Sequence, residues 1–95
     1  MVEVATTGSD IDVFVSPKGG CIMRHMMIYA KSGSTTVYVK YDDRTTDVNI
    51  ATKASMAANE TWIPFSSPLG MPATHKLSVN TNEAVNVLIT YVEFT

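Results

Sequence analysis

Apolar, β-favouring runs alternate along this chain with clusters of Gly, Ser, Thr, Asn, Asp and Pro. The runs are Ile11–Val15, Cys21–Ala30, Thr36–Tyr41, Val48–Ala51, Thr61–Phe65, Lys76–Val79 and Ala84–Phe94. A short strand buries one face and needs an opposing sheet to cover it. Runs at this spacing therefore predict an all-β chain: a single antiparallel β-sandwich, jelly-roll-like in arrangement, forming one domain over residues 1–95.

The runs differ in how strictly they alternate. Thr36–Tyr41 places Val37 and Val39 on one face and Thr36, Tyr38 and Lys40 on the other, and the last run sets Val85, Val87, Ile89 and Tyr91 opposite Asn86, Leu88, Thr90 and Val92. Cys21–Ala30 is apolar on both parities. That predicts a central strand with either a bulge near Arg24 and His25 or burial on two sides. Ile11–Val15 carries Asp12 and reads as an edge strand. Pro64, within Trp62-Ile63-Pro64-Phe65, has no N–H for a ladder and marks a second edge.

Between the runs, Ser16-Pro17-Lys18-Gly19-Gly20 predicts a sharp reversal, because proline fixes φ and glycine permits φ > 0. The segment Lys31–Thr35 predicts a hairpin loop with Gly33 in the left-handed region, and Asn80–Glu83 predicts a turn that pairs the two final runs. Alanines in the stretch from Lys53 to Glu60 predict one helical turn. Ser66-Ser67-Pro68-Leu69-Gly70-Met71-Pro72-Ala73 reads as a Pro/Gly-rich loop.

Composition narrows the function. Only 17% of residues are charged against 45% apolar, which leaves a neutral surface suited to packing against other subunits. A formal charge of −2 with seven scattered Lys and Arg offers no basic patch, so no nucleic-acid partner is expected. The lone Cys21 excludes an internal disulfide. No stretch approaches the ~18 apolar residues of a membrane helix, and Met1-Val2-Glu3-Val4-Ala5 lacks the features of a signal peptide, so cytoplasmic synthesis without a membrane partner is expected. Asn59-Glu60-Thr61 matches a glycan-acceptor pattern but reads as a loop-to-strand junction.

Candidate chemistry is sparse. Cys21 with His25 or His75 forms no recognised nucleophile–base signature, and one Cys with two distant His supplies at most three zinc ligands. Asp42, Asp43 and Asp47 lack the order that wraps oxygens around calcium, and Gly19-Gly20 precedes a strand instead of following one, as a phosphate loop would. The expectation is no catalytic residue, no cofactor, no metal and no enzyme. Met23, Met26 and Met27 suit an irregular core. The protein-interface candidates are Trp62, Pro64 and Phe65, with Leu69 and Met71 of the following loop and Val2 and Val4 of the first segment, because large apolar groups at an edge are where a partner buries area.

The succession Ile22-Met23-Arg24-His25-Met26-Met27-Ile28-Tyr29-Ala30, Lys31-Ser32-Gly33-Ser34, Thr36-Val37-Tyr38-Val39-Lys40, then Thr61-Trp62-Ile63-Pro64 and the ending from Lys76 to Phe94 resembles small β-sandwich proteins of tailed-phage virions. The resemblance spans most of the chain. It implies a structural virion protein, first of all a capsid decoration (cement) protein that binds the major capsid protein or other virion subunits as a symmetric homo-oligomer, with a trimer favoured. A tail, baseplate or head-tail component is the alternative within the same class. A carbohydrate-binding β-sandwich, using Trp62, Tyr38 and Asp42, is the alternative from another class.

Overall fold

In the computed structural model, residues 1–65 and 67–94 are described. They form nine strands and no helix: β1 (Val2–Val4), β2 (Ile11–Val15), β3 (Cys21–Ala30), β4 (Thr35–Asp42), β5 (Asp47–Met56), β6 (Thr61–Trp62), β7 (Leu69–Met71), β8 (Lys76–Thr81) and β9 (Val85–Glu93). Two antiparallel sheets pack together as a small β-sandwich. The first runs β1-β9-β3, with β6 and β7 sharing the far edge of β3, and the second runs β2-β8-β4-β5.

The strand pairings are nested. β1 pairs with β9, β2 with β8, β3 with β6 and β7, and β4 with β5. The chain follows one long hairpin folded over on itself, with its tip between β4 and β5. Two expected hairpins are therefore arches instead: β3 and β4 lie in different sheets, as do β8 and β9. Ser34, at φ 57, takes the left-handed conformation expected of Gly33. Asn82 ties the two arches together, its carbonyl accepting from Thr36 N at 2.8 Å and its amide donating to Ser34 O at 3.0 Å.

Three further expectations are corrected. Residues from Lys53 to Met56 continue β5, and the chain then turns through Asn59 at φ 67, so no helical turn forms. Leu69–Met71 of the expected loop is a strand paired with the start of β3; Ser66 of that loop lies outside the described residues. Val2–Val4 is an edge strand that alternation did not reveal.

β3 carries the predicted bulge. Its register with β9 shifts between Met23 and His25, so Arg24 is the extra residue. The inward set accordingly switches parity, from Cys21 and Met23 to Met26, Ile28 and Ala30, all fully buried. A second shift at Val13 lets Ile11, Val13 and Phe14 all reach the core side. From the facing sheet Val37, Val39, Met56, Leu77 and Val79 complete the core, and each such side chain contributes ~1.5–3 kcal/mol.

The turn before β3 needs both glycines, for different reasons. Gly20 sits at φ +80, and a Cβ on Gly19 would lie 2.4 Å from the carbonyl oxygen of Phe94. Phe94 N in turn donates to Gly20 O at 3.0 Å, which docks the end of β9 onto this turn.

Candidate interaction face

Directly opposite residues of an antiparallel pair share a face, so the registers define what each sheet shows outward. On the second sheet that face centres on ion pairs, with Val15, opposite Lys76, 53% exposed at the edge. Lys40 Nζ lies 3.1 Å from Asp10, and Lys76 Nζ lies 3.2 Å from Asp12 and 4.0 Å from Asp42. Asn80 Nδ2 donates to Asp10 Oδ1 at 2.9 Å. That hydrogen bond, followed by Lys40, holds the Asp10 carboxyl below its ordinary 3.8. Tyr38 stands among these groups, 42% exposed.

The first sheet alternates apolar and polar rows. Its outward rows pair Ile22 with Val92, His25 with Thr90, Met27 with Leu88 and Tyr29 with Asn86. Leu88 and Val92 are 41% and 45% exposed, and Ile22 and Met27 are half-buried. Two shallow hollows open here. One, of ≈ 140 Å³, is lined by Met1, Met27, Tyr29, Asn86 and Leu88. The other, of ≈ 280 Å³, is lined by Ile22, Arg24, Pro68 and Val92. At the margin Lys31 and Glu3 neutralise each other in an ion pair.

The interface candidates read from sequence fall elsewhere. Val4 and Met71 are 1% and 2% exposed and belong to the core, because Val4 pairs with inward Val85 and Met71 with inward Cys21. Their side chains offer a partner no surface. Trp62 pairs with inward Ile28, and with Phe65 and Leu69 it packs on the core as a half-buried border. Pro64 is half-buried, and Val2 is 37% exposed. The fold separates these groups: β1 and β6 lie on opposite edges of the first sheet.

The same separation breaks the carbohydrate set. Tyr38 and Asp42 face outward from the second sheet, whereas Trp62 points inward from the first. The signal for the apolar face was present in sequence, as the double-parity apolarity of β3 and the Leu88 and Val92 positions of β9. The bulge accounts for the inward switch, while Ile22 and Met27 remain outward.

The residues weighed for chemistry serve the fold. Cys21 is fully buried, its Sγ 3.4 Å from Ser16 Oγ, and Ser16 Oγ also donates to Met71 O at 3.1 Å. His75 Nδ1 and the Tyr41 hydroxyl share a hydrogen bond of 2.6 Å. His25 stands opposite Thr90 on β9. Asp42 Oδ1 accepts from Arg44 N at 2.7 Å, and Asp43 Oδ1 accepts from the backbone N–H groups of Thr46 and Thr45 at 2.8 and 2.9 Å. Those two bonds hold the Asp43 carboxyl below the ordinary carboxylate value. The carboxylates thus shape the β4–β5 turn. Among the described residues no group of three or more His, Cys, Asp and Glu gathers to hold a metal ion, and no helix is long and apolar enough to cross a membrane.

No family model, curated protein or solved structure matches this chain.

Proposed function

We propose that this chain is a structural subunit of a virion, in the first place a capsid decoration protein that works as a homo-oligomer bound to the shell. The observation that carries the reading is the contrast between the two outer faces. One centres on Lys–Asp pairs, with Val15 exposed at its edge, and the other sets the apolar pairs Ile22–Val92 and Met27–Leu88 among the polar pairs His25–Thr90 and Tyr29–Asn86. A sheet face of the second kind is a surface for another protein. The likeness to small phage sandwich proteins supplies the class of assembly. The nested pairing supports the finer description of the fold as a jelly roll, in which a rolled hairpin closes two sheets on each other.

A shell-bound subunit needs no strong individual contact, because symmetric repetition multiplies modest affinities. The test is to raise antibodies to the purified chain, apply them to virions of the phage that carries the gene, and image the particles. Label over the shell is the expected result. Label confined to tails transfers the role to a tail component. Absence of the chain from washed particles overturns the proposal.

A further inference from the structure

We infer that the free edge of β9 from Ile89 to Glu93 receives, as an added strand, an extended arm of a different virion subunit. This rests on the assembly reading above, which supplies the source of the arm. The first argument is the incomplete ladder. β9 pairs with β3 along its whole length, but β1 covers its other side only from Val85 to Val87. Among the described residues no strand lies beside the remainder. The link from β1 to β2 does not fill it. β1 runs antiparallel to β9, so the chain leaves at the Val85 end, where Gly8 N donates to Thr81 O at 2.9 Å. A vacant strand position ~17 Å long thus lies in line with β1.

The second argument is exposure. Beside β1 the inward side chains of β9, Val85 and Val87, are buried, whereas from Thr90 to Glu93 both faces of the strand are exposed. Tyr91 stands on the inward face opposite buried Met23 yet is 43% exposed, and Val92 on the outward face is 45% exposed. Phe14 of β2, in the facing sheet, meets the Tyr91 ring with centroids 4.9 Å apart. Two aromatic rings therefore roof this corner of the core where a longer β1 would otherwise do so. A strand added here covers apolar side chains on both of its faces at once.

The third argument fixes the occupant. An open ladder is satisfied by another extended backbone, whose N–H and C=O groups repeat at the same spacing. The other long edges are interrupted: β2 carries Asp12 and a register shift, and β5 has two shifts against β4. β9 is itself regular, the extra residue lying on β3. Side chains placed opposite Ile89 and Tyr91 point inward and need to be apolar. Glu93 makes no ion pair among the described residues, so the position opposite it calls for Lys or Arg. The apolar strands of this chain are already engaged in its own two sheets, so a second copy has no such arm to lend.

The probe is the synthetic peptide Lys-Thr-Val-Thr-Val, which, antiparallel to β9, sets its lysine opposite Glu93 and its valines opposite Tyr91 and Ile89. Hydrogen exchange of the full chain is followed by NMR with millimolar peptide, and with a control methylated at every peptide nitrogen. The expected result is exchange about tenfold slower, or more, at alternate amides between Leu88 and Glu93 with the peptide, and none with the control. The same segment fused ahead of Met1 continues β1 into the slot. It is expected to protect the same amides with no added peptide, because tethering raises the effective concentration. If neither the free nor the fused segment slows these amides, the inference is overturned. Protection that grows with the concentration of the unmodified chain alone also overturns it, and assigns the edge to a second copy. Either result leaves the virion role to the labelling of particles. Protection by the peptide, in a chain absent from washed particles, keeps the strand slot and removes the virion as the source of the arm.

Discussion

Tyr41 shows how a single side chain in this fold couples packing to pH. Its ring meets His75 edge-on with centroids 5.5 Å apart, and its hydroxyl is the partner of Nδ1. Burial first, then the negative charge of Asp43, raises the phenol above its ordinary value of 10.0. A group whose pKa rises on folding contributes stability that is complete below the unfolded value and is lost as pH climbs through the folded one. Tyr41→Phe is expected to cost about 1 kcal/mol at neutral pH through the lost hydrogen bond. The deficit should then narrow above pH ~10, where the wild type alone must hold back an ionising phenol. Urea midpoints of both proteins at neutral and strongly alkaline pH give the comparison. A deficit that stays constant across that range would remove the phenol from the account.

At the level of the strand, the bulge in β3 decides which side chains are core. Arg24 is exposed and makes no ion pair among the described residues, so Arg24→Ala is expected to change stability by less than ~0.5 kcal/mol. Deleting Arg24 is a different perturbation. Without the extra residue Cys21, Met23, Met26, Ile28 and Ala30 alternate with a plain period of two, so the same side chains stay inward and the ladder to β9 loses only its bulge. The deletion is therefore expected to keep cooperative unfolding, as the alanine variant does, as read by thermal melts. Loss of cooperativity in the deletion alone would show that the local bend of the bulge, and not only the inward set, is needed to close the core.

This strand also marks what was legible in the sequence. Its central position and its bulge were readable, because both follow from where apolar residues sit. The inward faces of β4 and β9 were readable for the same reason. A hairpin and an arch are not distinguished by sequence here, since the four polar residues around Gly33 in Lys31–Thr35 serve either connection and only the partners of β3 and β4 tell them apart. β1 and β7, at three residues each, are too short to show a period. Ala54, Ala57 and Ala58 favour a helical turn by propensity, but Ala54 is held in β5 by the ladder to β4 and the other two lie in the turn that follows, so tertiary pairing overrides a weak propensity. Trp62 drew attention as an anchor because it is large and beside a proline. Its pairing with Ile28, which turns it inward, is a long-range fact that no local pattern carries.

The whole molecule is closed by its ends. β1 lies beside β9 with Val2 opposite Val87, so the first strand caps the edge of one of the last to be made. Such pairings between distant segments dominate the nested topology, which places this chain among slowly folding β-proteins, in milliseconds to seconds. β1 does two things there. It buries Val4 against the core, and it covers the backbone groups of β9 that would otherwise form a second open edge beside an apolar sheet face. Removing residues 1–5 is therefore expected to lower stability by about 2–4 kcal/mol, from the lost burial of Val4 and the lost ladder. It is also expected to add a slow, concentration-dependent rise in light scattering as exposed β9 edges pair between molecules. The two effects separate experimentally. Val4→Ala in the full chain keeps the ladder and is expected to reproduce only part of the stability loss, with no scattering. If the truncated chain stays clear at high concentration, the edge of β9 is guarded by something other than β1, and the bulge at Arg24 on the neighbouring strand, which twists the sheet locally, becomes the feature that protects it.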